Sequence, residues 1–167
     1  MLYLDFDGVL FDSSKETLKN FNYSLNELCL TKNIKSGDNK IFIEYIKENR
    51  GSIGPIEDFF LILEALLQED QPIEFYLIKE NLTFLVSKFL ENRMIQKKLS
   101  HEDWCLLHQP SPLASVCKRE AFNFKIVSTK DEGSLADICE FFDLKPQQIY
   151  GKESFEKLGS KRDIIVA

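Results

Sequence analysis

The sequence has little of what marks the specialised classes of protein. Its 167 residues include two histidines and four cysteines, Cys29, Cys105, Cys117 and Cys139, and no two cysteines form a C-x-x-C pair. A structural zinc site would need ligands scattered over the whole chain; His101-x-x-x-Cys105 offers only two at one helical spacing. The thiols are therefore read as reduced and mostly buried. No apolar run approaches the ~18 residues of a membrane span. Nor is there a basic excess: 21 Lys and Arg against 27 Asp and Glu leave a net charge of −6, which disfavours a nucleic-acid partner. No basic, cleavable leader precedes Leu2-Tyr3-Leu4-Asp5, so a cytoplasmic location is expected, with no membrane partner. Repeats and low-complexity segments are missing too. What is present is ample apolar material, 44% hydrophobic residues with fourteen Phe, enough to exclude general disorder.

Leu2–Phe6 is short, apolar and bounded by Gly8, which predicts a buried strand. Ser13 and Glu16 have the spacing of a capping box, and Leu18, Phe21, Leu25 and Leu28 predict a helix to about Leu30. A second helix is predicted over Lys40–Asn49. The loop Arg50–Pro55 follows, then a helix from Pro55 lined by Ile56, Phe59, Phe60, Leu63 and Leu67. A long helix from Pro72 to about Lys98 completes an all-helical stretch. Beyond Pro110 and Pro112 the pattern changes to a helix over Leu113–Ala121, a strand over Phe124–Ser128 and a helix over Ser134–Phe142. A strand ending at Gly151 and a helical turn from Lys161 capped by Ser160 close the order. It predicts an α/β core with parallel strands, residues 1–13 and 105–167, interrupted by a helical insertion over 14–104. Trp104 reads as packing at the seam.

Chemistry concentrates in Asp5-Phe6-Asp7-Gly8-Val9-Leu10-Phe11-Asp12-Ser13. Ligands of open α/β sheets bind beyond the carboxyl ends of the strands, which is where Asp5 and Asp7 fall. Gly8 permits a sharp turn. Two close carboxylates repel, so either one takes up a proton or a cation sits between them. A carboxylate beside Mg²⁺ is a competent nucleophile towards phosphorus, and its neighbour can shuttle the leaving-group proton. The plain alternative is a strand end followed by an Asp-Gly turn.

At these residues the chain resembles the haloacid dehalogenase (HAD) superfamily, in its phosphatase branch with an α-helical cap of the C1 type. The match to that family's first motif, a strand followed by D-x-D-G-[VT]-[LV]-x-x-S, covers Leu2 to Ser13. The resemblance implies a Rossmann-like parallel-sheet core with an inserted all-helical cap domain. It implies Asp5 as the nucleophile of an aspartyl-phosphate and Asp7 as the general acid/base, with Asp5 and, through its backbone carbonyl, Asp7 on Mg²⁺. The second Asp favours phosphoryl transfer over carbon–halogen cleavage. Ile126-Val127-Ser128 fits the family's second motif, whose hydroxyl contacts the phosphoryl group. Lys161 fits the third motif best, ahead of Lys157 and Lys152. Gly8 and Thr129 lie in loops that would surround the phosphate. Lys130 is a loop residue within reach of a phosphate. Arg50 could clamp a carboxylate or second phosphate, although a solvated arginine is the simpler reading.

The family's fourth motif, a strand ending in acidic metal ligands, has no counterpart before Ile164-Ile165-Val166-Ala167. The expectation is thus a C-terminally incomplete core. Its unpaired strand edge invites homo-oligomerisation. The expected function is Mg²⁺-dependent hydrolysis of a small phosphate monoester. The alternatives are a catalytically incomplete relative that binds a phosphorylated ligand or protein, and a phosphomutase.

Overall fold

A computed structural model of the protein describes residues 1–33, 44–45, 48, 56–68, 77–120 and 122–166. In chain order the elements are β1 (Leu2–Leu4), β2 (Phe11–Asp12), α1 (Ser14–Lys32), α2 (Ile56–Gln68), α3 (Leu77–Glu80), α4 (Leu82–Leu99), α5 (His101–Cys105), β3 (Gln109–Pro110), α6 (Pro112–Arg119), β4 (Phe124–Val127), α7 (Glu132–Phe141), β5 (Gln148–Tyr150), α8 (Lys152–Leu158) and α9 (Lys161–Val166). The chain divides into two compact units, Met1–Ser13 with Glu102–Ala167, and Ser14–His101. No helix among the described residues is long and apolar enough to cross a membrane.

The first unit is built on a parallel sheet in the order β1-β4-β5. Leu2 pairs with Phe124 and Leu4 with Ile126, while Val127 pairs with Tyr150. Parallel neighbours need a crossover, and α7 supplies it between β4 and β5. Phe124 and Ile126 point into an apolar core with Phe6, Leu10, Leu135 and Ile138. Each such side chain contributes roughly 1.5–3 kcal/mol when fully buried. Trp104, Cys105, Cys117 and Cys139 belong to the same core; all four cysteines are free thiols, and burial pushes Cys139 up to about 12. A separate antiparallel ribbon pairs β2 with β3; the sequence reading did not anticipate it, because two-residue strands leave no periodicity.

Several boundaries move for identifiable reasons. The strand expected over Leu2–Phe6 stops at Leu4, since Phe6 turns its carbonyl to Leu10 and Phe11. α6 starts at Pro112, where Ser111 caps Ala114 N and proline fits the first helical position. α7 starts at Glu132 rather than Ser134, because Asp131 accepts from Ser134 N at 2.8 Å. α8 was not expected. Gly151 opens it, and a Cβ there would lie 2.7 Å from both Glu132 N and Lys130 O. Ser160 does cap α9: its Oγ accepts from Asp163 N at 3.4 Å, and Asp163 Oδ2 accepts in return from Ser160 N at 2.8 Å.

The second unit consists of helices and the turns between them, with no strand among its described residues. Phe21, Leu25 and Leu28 of α1 meet Phe59, Phe60 and Leu63 of α2 and Leu85 and Phe89 of α4. The long helix expected from Pro72 is interrupted at Asn81, which separates α3 from α4. Pro55 and Pro72, most of the helix expected over Lys40–Asn49, and Ala121 lie outside the described residues.

The expected capping box does not form. Ser13 Oγ is buried without a hydrogen-bond partner, and Glu16 turns into the helix pair instead. Arg93 donates to its carboxylate through Nε (2.6 Å) and Nη2 (3.2 Å), and Asn20 Nδ2 donates to Oε1. Asn92 and Gln96 donate to Asn20 Oδ1 at 2.9 and 2.8 Å. A two-pronged charged contact outweighs a single cap bond, so it decides where Glu16 goes.

Two stability predictions follow from these contacts. Glu16 is fully buried and Arg93 nearly so, so Arg93→Ala leaves an uncompensated carboxylate and is expected to cost about 3–5 kcal/mol in urea unfolding. Glu132 accepts from Ser154 Oγ at 2.5 Å and from Gly151 N at 3.2 Å, and the Ser154 bond holds its carboxyl below the ordinary value of 4.5. A depressed carboxyl adds stability above its unfolded value and loses it as pH falls through the folded one. Unfolding midpoints should therefore decline as pH drops below that ordinary value, and Glu132→Gln should flatten this stretch of the profile.

Candidate active site

The loop after β1 is held from three sides. Asp5 follows the last strand residue, and its Oδ1 accepts from Phe6 N at 2.8 Å. Gly8 N donates to Phe11 O at 2.8 Å, while Leu10 N and Phe11 N both donate to Phe6 O. This tight return puts Gly8 at φ +78°, a left-handed conformation that would cost a residue with a Cβ roughly 1–2 kcal/mol. Ser111 fixes the far side: its N–H donates to Leu10 O at 2.9 Å and its Oγ to Val9 O at 2.7 Å. Asp7 bridges to Phe11 within the loop. Its Oδ1 is buried and accepts no hydrogen bond, while the residue is engaged through other atoms.

Lys161 reaches this loop from the other end of the sequence. It occupies the first turn of α9, and its Nζ donates to Asp5 Oδ2 at 2.5 Å. Both oxygens of Asp5 are thus engaged, one by backbone and one by an ammonium, which sets the plane of the carboxylate. The pair is only part-buried, at about two-fifths exposure on each side chain, so an incoming ligand has access to it. Lys152 and Lys157, the other candidates for this role, are exposed on α8.

Ser128 directly follows β4 and is 1% exposed. Its N–H donates to Tyr150 O, and its Oγ accepts from Lys130 N at 3.3 Å, a hydroxyl-closed turn. Thr129 at the tip is exposed. Arg50 lies outside the described residues. The structure therefore brings Asp5 and Lys161 into contact and sets Ser128 at the end of the adjacent strand.

The structure corrects one reading beside these residues: Lys130, expected in the loop with its head able to touch a phosphate, is buried against His108, which carries no motif. Lys130 is 6% exposed and His108 0%. Lys130 Nζ lies 3.2 Å from His108 Nε2 and 5.8 Å from the centroid of the Phe6 ring. His108 carried no sequence signal. Lys130 carried one: it stands in the loop two residues beyond Ser128.

Asp5 and Asp7 offer hard oxygen donors and no sulfur or imidazole. Among the described residues no group of three or more His, Cys, Asp or Glu is gathered as for zinc. One or two carboxylates, completed by phosphate and water oxygens, are what Mg²⁺ takes, so the residues present fit that ion.

No family model matches the sequence, and no curated protein matches it. Two solved structures are similar in fold. A Clostridium difficile protein provisionally named a phosphatase superposes with a TM-score of 0.59 at 16% identity, over 99% of this chain and 66% of its own. A HAD-superfamily hydrolase of subfamily IA from Geobacter sulfurreducens gives 0.50 at 11% identity, over 92% of this chain and 62% of its own. The chain thus spans just under two thirds of each. Parallel strands, an early helical insertion and this shared architecture give the chain a HAD-like α/β fold.

Proposed function

We propose that the protein is a Mg²⁺-dependent phosphohydrolase acting on a small phosphate monoester. The observation that carries this reading is the contact of Lys161 with Asp5 across 156 residues of sequence, at the carboxyl end of a parallel strand. An ammonium on a solvent-accessible carboxylate supplies positive charge where a phosphate would dock. The neighbouring strand ends in a buried hydroxyl, Ser128, suited to donate to a phosphoryl oxygen. Both structural neighbours are hydrolases or phosphatases by name, which supports the same chemistry.

The carboxylate of Asp5 attacks phosphorus, and the ester oxygen leaves as the alcohol with a proton from Asp7. Water then attacks the aspartyl-phosphate; Asp7 takes up the water's proton, and phosphate and Asp5 are released. Lys161 holds Asp5 in the attacking orientation and offsets charge on the phosphoryl oxygens. Asp5 and Asp7 would hold Mg²⁺, which supplies further charge neutralisation at the phosphoryl group when bound. The helical unit, inserted between the first two motif segments, is the part that would select substrate, and Thr129 and Gly8 would contribute loop contacts to the phosphate.

Hydrolysis of an aryl phosphate by the purified chain, with Mg²⁺ or with a chelator, tests the reading. Turnover is expected to need the metal, to vanish in Asp5→Asn and to fall by about 10²- to 10³-fold in Lys161→Met, as for loss of a charge-stabilising donor. Turnover unchanged in Asp5→Asn would overturn the nucleophile assignment. Binding of phosphate without turnover would point to a ligand-binding relative.

A further inference from the structure

We propose that Lys130 and His108 are positioning residues for this site: a buried ammonium–imidazole pair that clamps the Ser128 turn against Phe6, the residue between the two aspartates. The inference rests on the phosphohydrolase reading for its catalytic consequence and on geometry alone for the clamp.

The partners of His108 determine its state. Nδ1 lies 3.2 Å from the carbonyl oxygen of Trp104, which can only accept, so Nδ1 carries the proton. Nε2 faces an ammonium, which can only donate, so Nε2 presents its lone pair. The imidazole is then neutral and acts as the acceptor for Lys130. Its ring is held edge-on by Trp104, at a centroid distance of 5.1 Å, and by Phe6 at 6.5 Å. Phe6 in turn stacks on Phe11 at 4.7 Å, within the loop that carries Asp7.

Lys130 transmits this anchoring to both motif segments. Its ammonium lies over the Phe6 ring, a cation–π contact in a desolvated setting. Its backbone N–H donates to Ser128 Oγ, and its carbonyl accepts from Lys152 N at 3.0 Å. A lysine in a polar loop would ordinarily keep its head in water. Here the head is turned inward to a ring nitrogen, so the turn between Ser128 and Lys130 is held by its side chain as well as its backbone. Displacing the Ser128 hydroxyl by about 1 Å suffices to cost on the order of 10²-fold in rate.

The test compares Lys130→Met, Lys130→Arg, His108→Phe and the Lys130→Met/His108→Phe pair with the parent. With two histidines in the chain, ¹⁵N spectra of the parent assign the His108 tautomer directly, using His101→Gln to separate the signals. The clamp requires the Nδ1–H tautomer, and faster amide exchange at Lys130 in His108→Phe while global unfolding stays two-state. In aryl phosphate hydrolysis, Lys130→Met and His108→Phe should each lower kcat about 10- to 100-fold with little change in KM. The double variant should be no worse than either single one, and Lys130→Arg should restore part of the rate. An Nε2–H tautomer, or unaltered exchange at Lys130, overturns the clamp. Unaltered kcat in folded single variants overturns its role in catalysis. A parent without turnover would sink the phosphohydrolase reading, and the tautomer and exchange results would still decide the clamp.

Discussion

The parallel register of β1 on β4 is the constraint on which the candidate site depends. Leu4 stands opposite Ile126, so the two strands leave the sheet side by side and in the same direction. Asp5 and Ser128 are thereby delivered to the carboxyl end of the sheet from segments more than a hundred residues apart. The side chains that hold this register are apolar and buried, Phe124 and Ile126 with Phe6 and Leu10. A one-residue slip would turn them to the opposite face. Packing and chemistry are thus coupled: the residues that form the core also aim the carboxylates.

Two kinds of tie finish what the register begins. Short-range ties shape the loop after β1 through the Phe6 carbonyl and the left-handed Gly8. Long-range ties lock that loop in place: Ser111 on Leu10 and Val9, Lys161 on Asp5, and Lys130 over Phe6. Each comes from a different element, so the site forms only when most of the first unit has folded.

The helical unit uses the same elements differently. Along α1 the buried positions change from Phe21, Leu25 and Leu28 to Glu16 and Asn20 at the end joined to the first unit. The polar network is directional, whereas the apolar contact is not. It fixes which faces of α1 and α4 meet, at the cost of burying a charge pair that packing alone would not need.

Much of this was legible in the sequence, because it rests on local pattern. Asp5-Phe6-Asp7-Gly8, the short strand before it and the helical spacing of Phe21, Leu25 and Leu28 are properties of neighbouring residues. The alternation of strand and helix after Pro110 is sufficient to specify an α/β core. Ser160 as a cap could also be read directly, whereas Lys161 was singled out only through the family resemblance. The chain alone could not decide where Glu16 would turn, since a cap and a distant arginine compete for it. Nor could it show that a two-residue ribbon would tie β2 to β3, or that Lys130 would bury its charge on His108. Those outcomes depend on which distant groups arrive within a few ångströms, and only the folded chain brings them there.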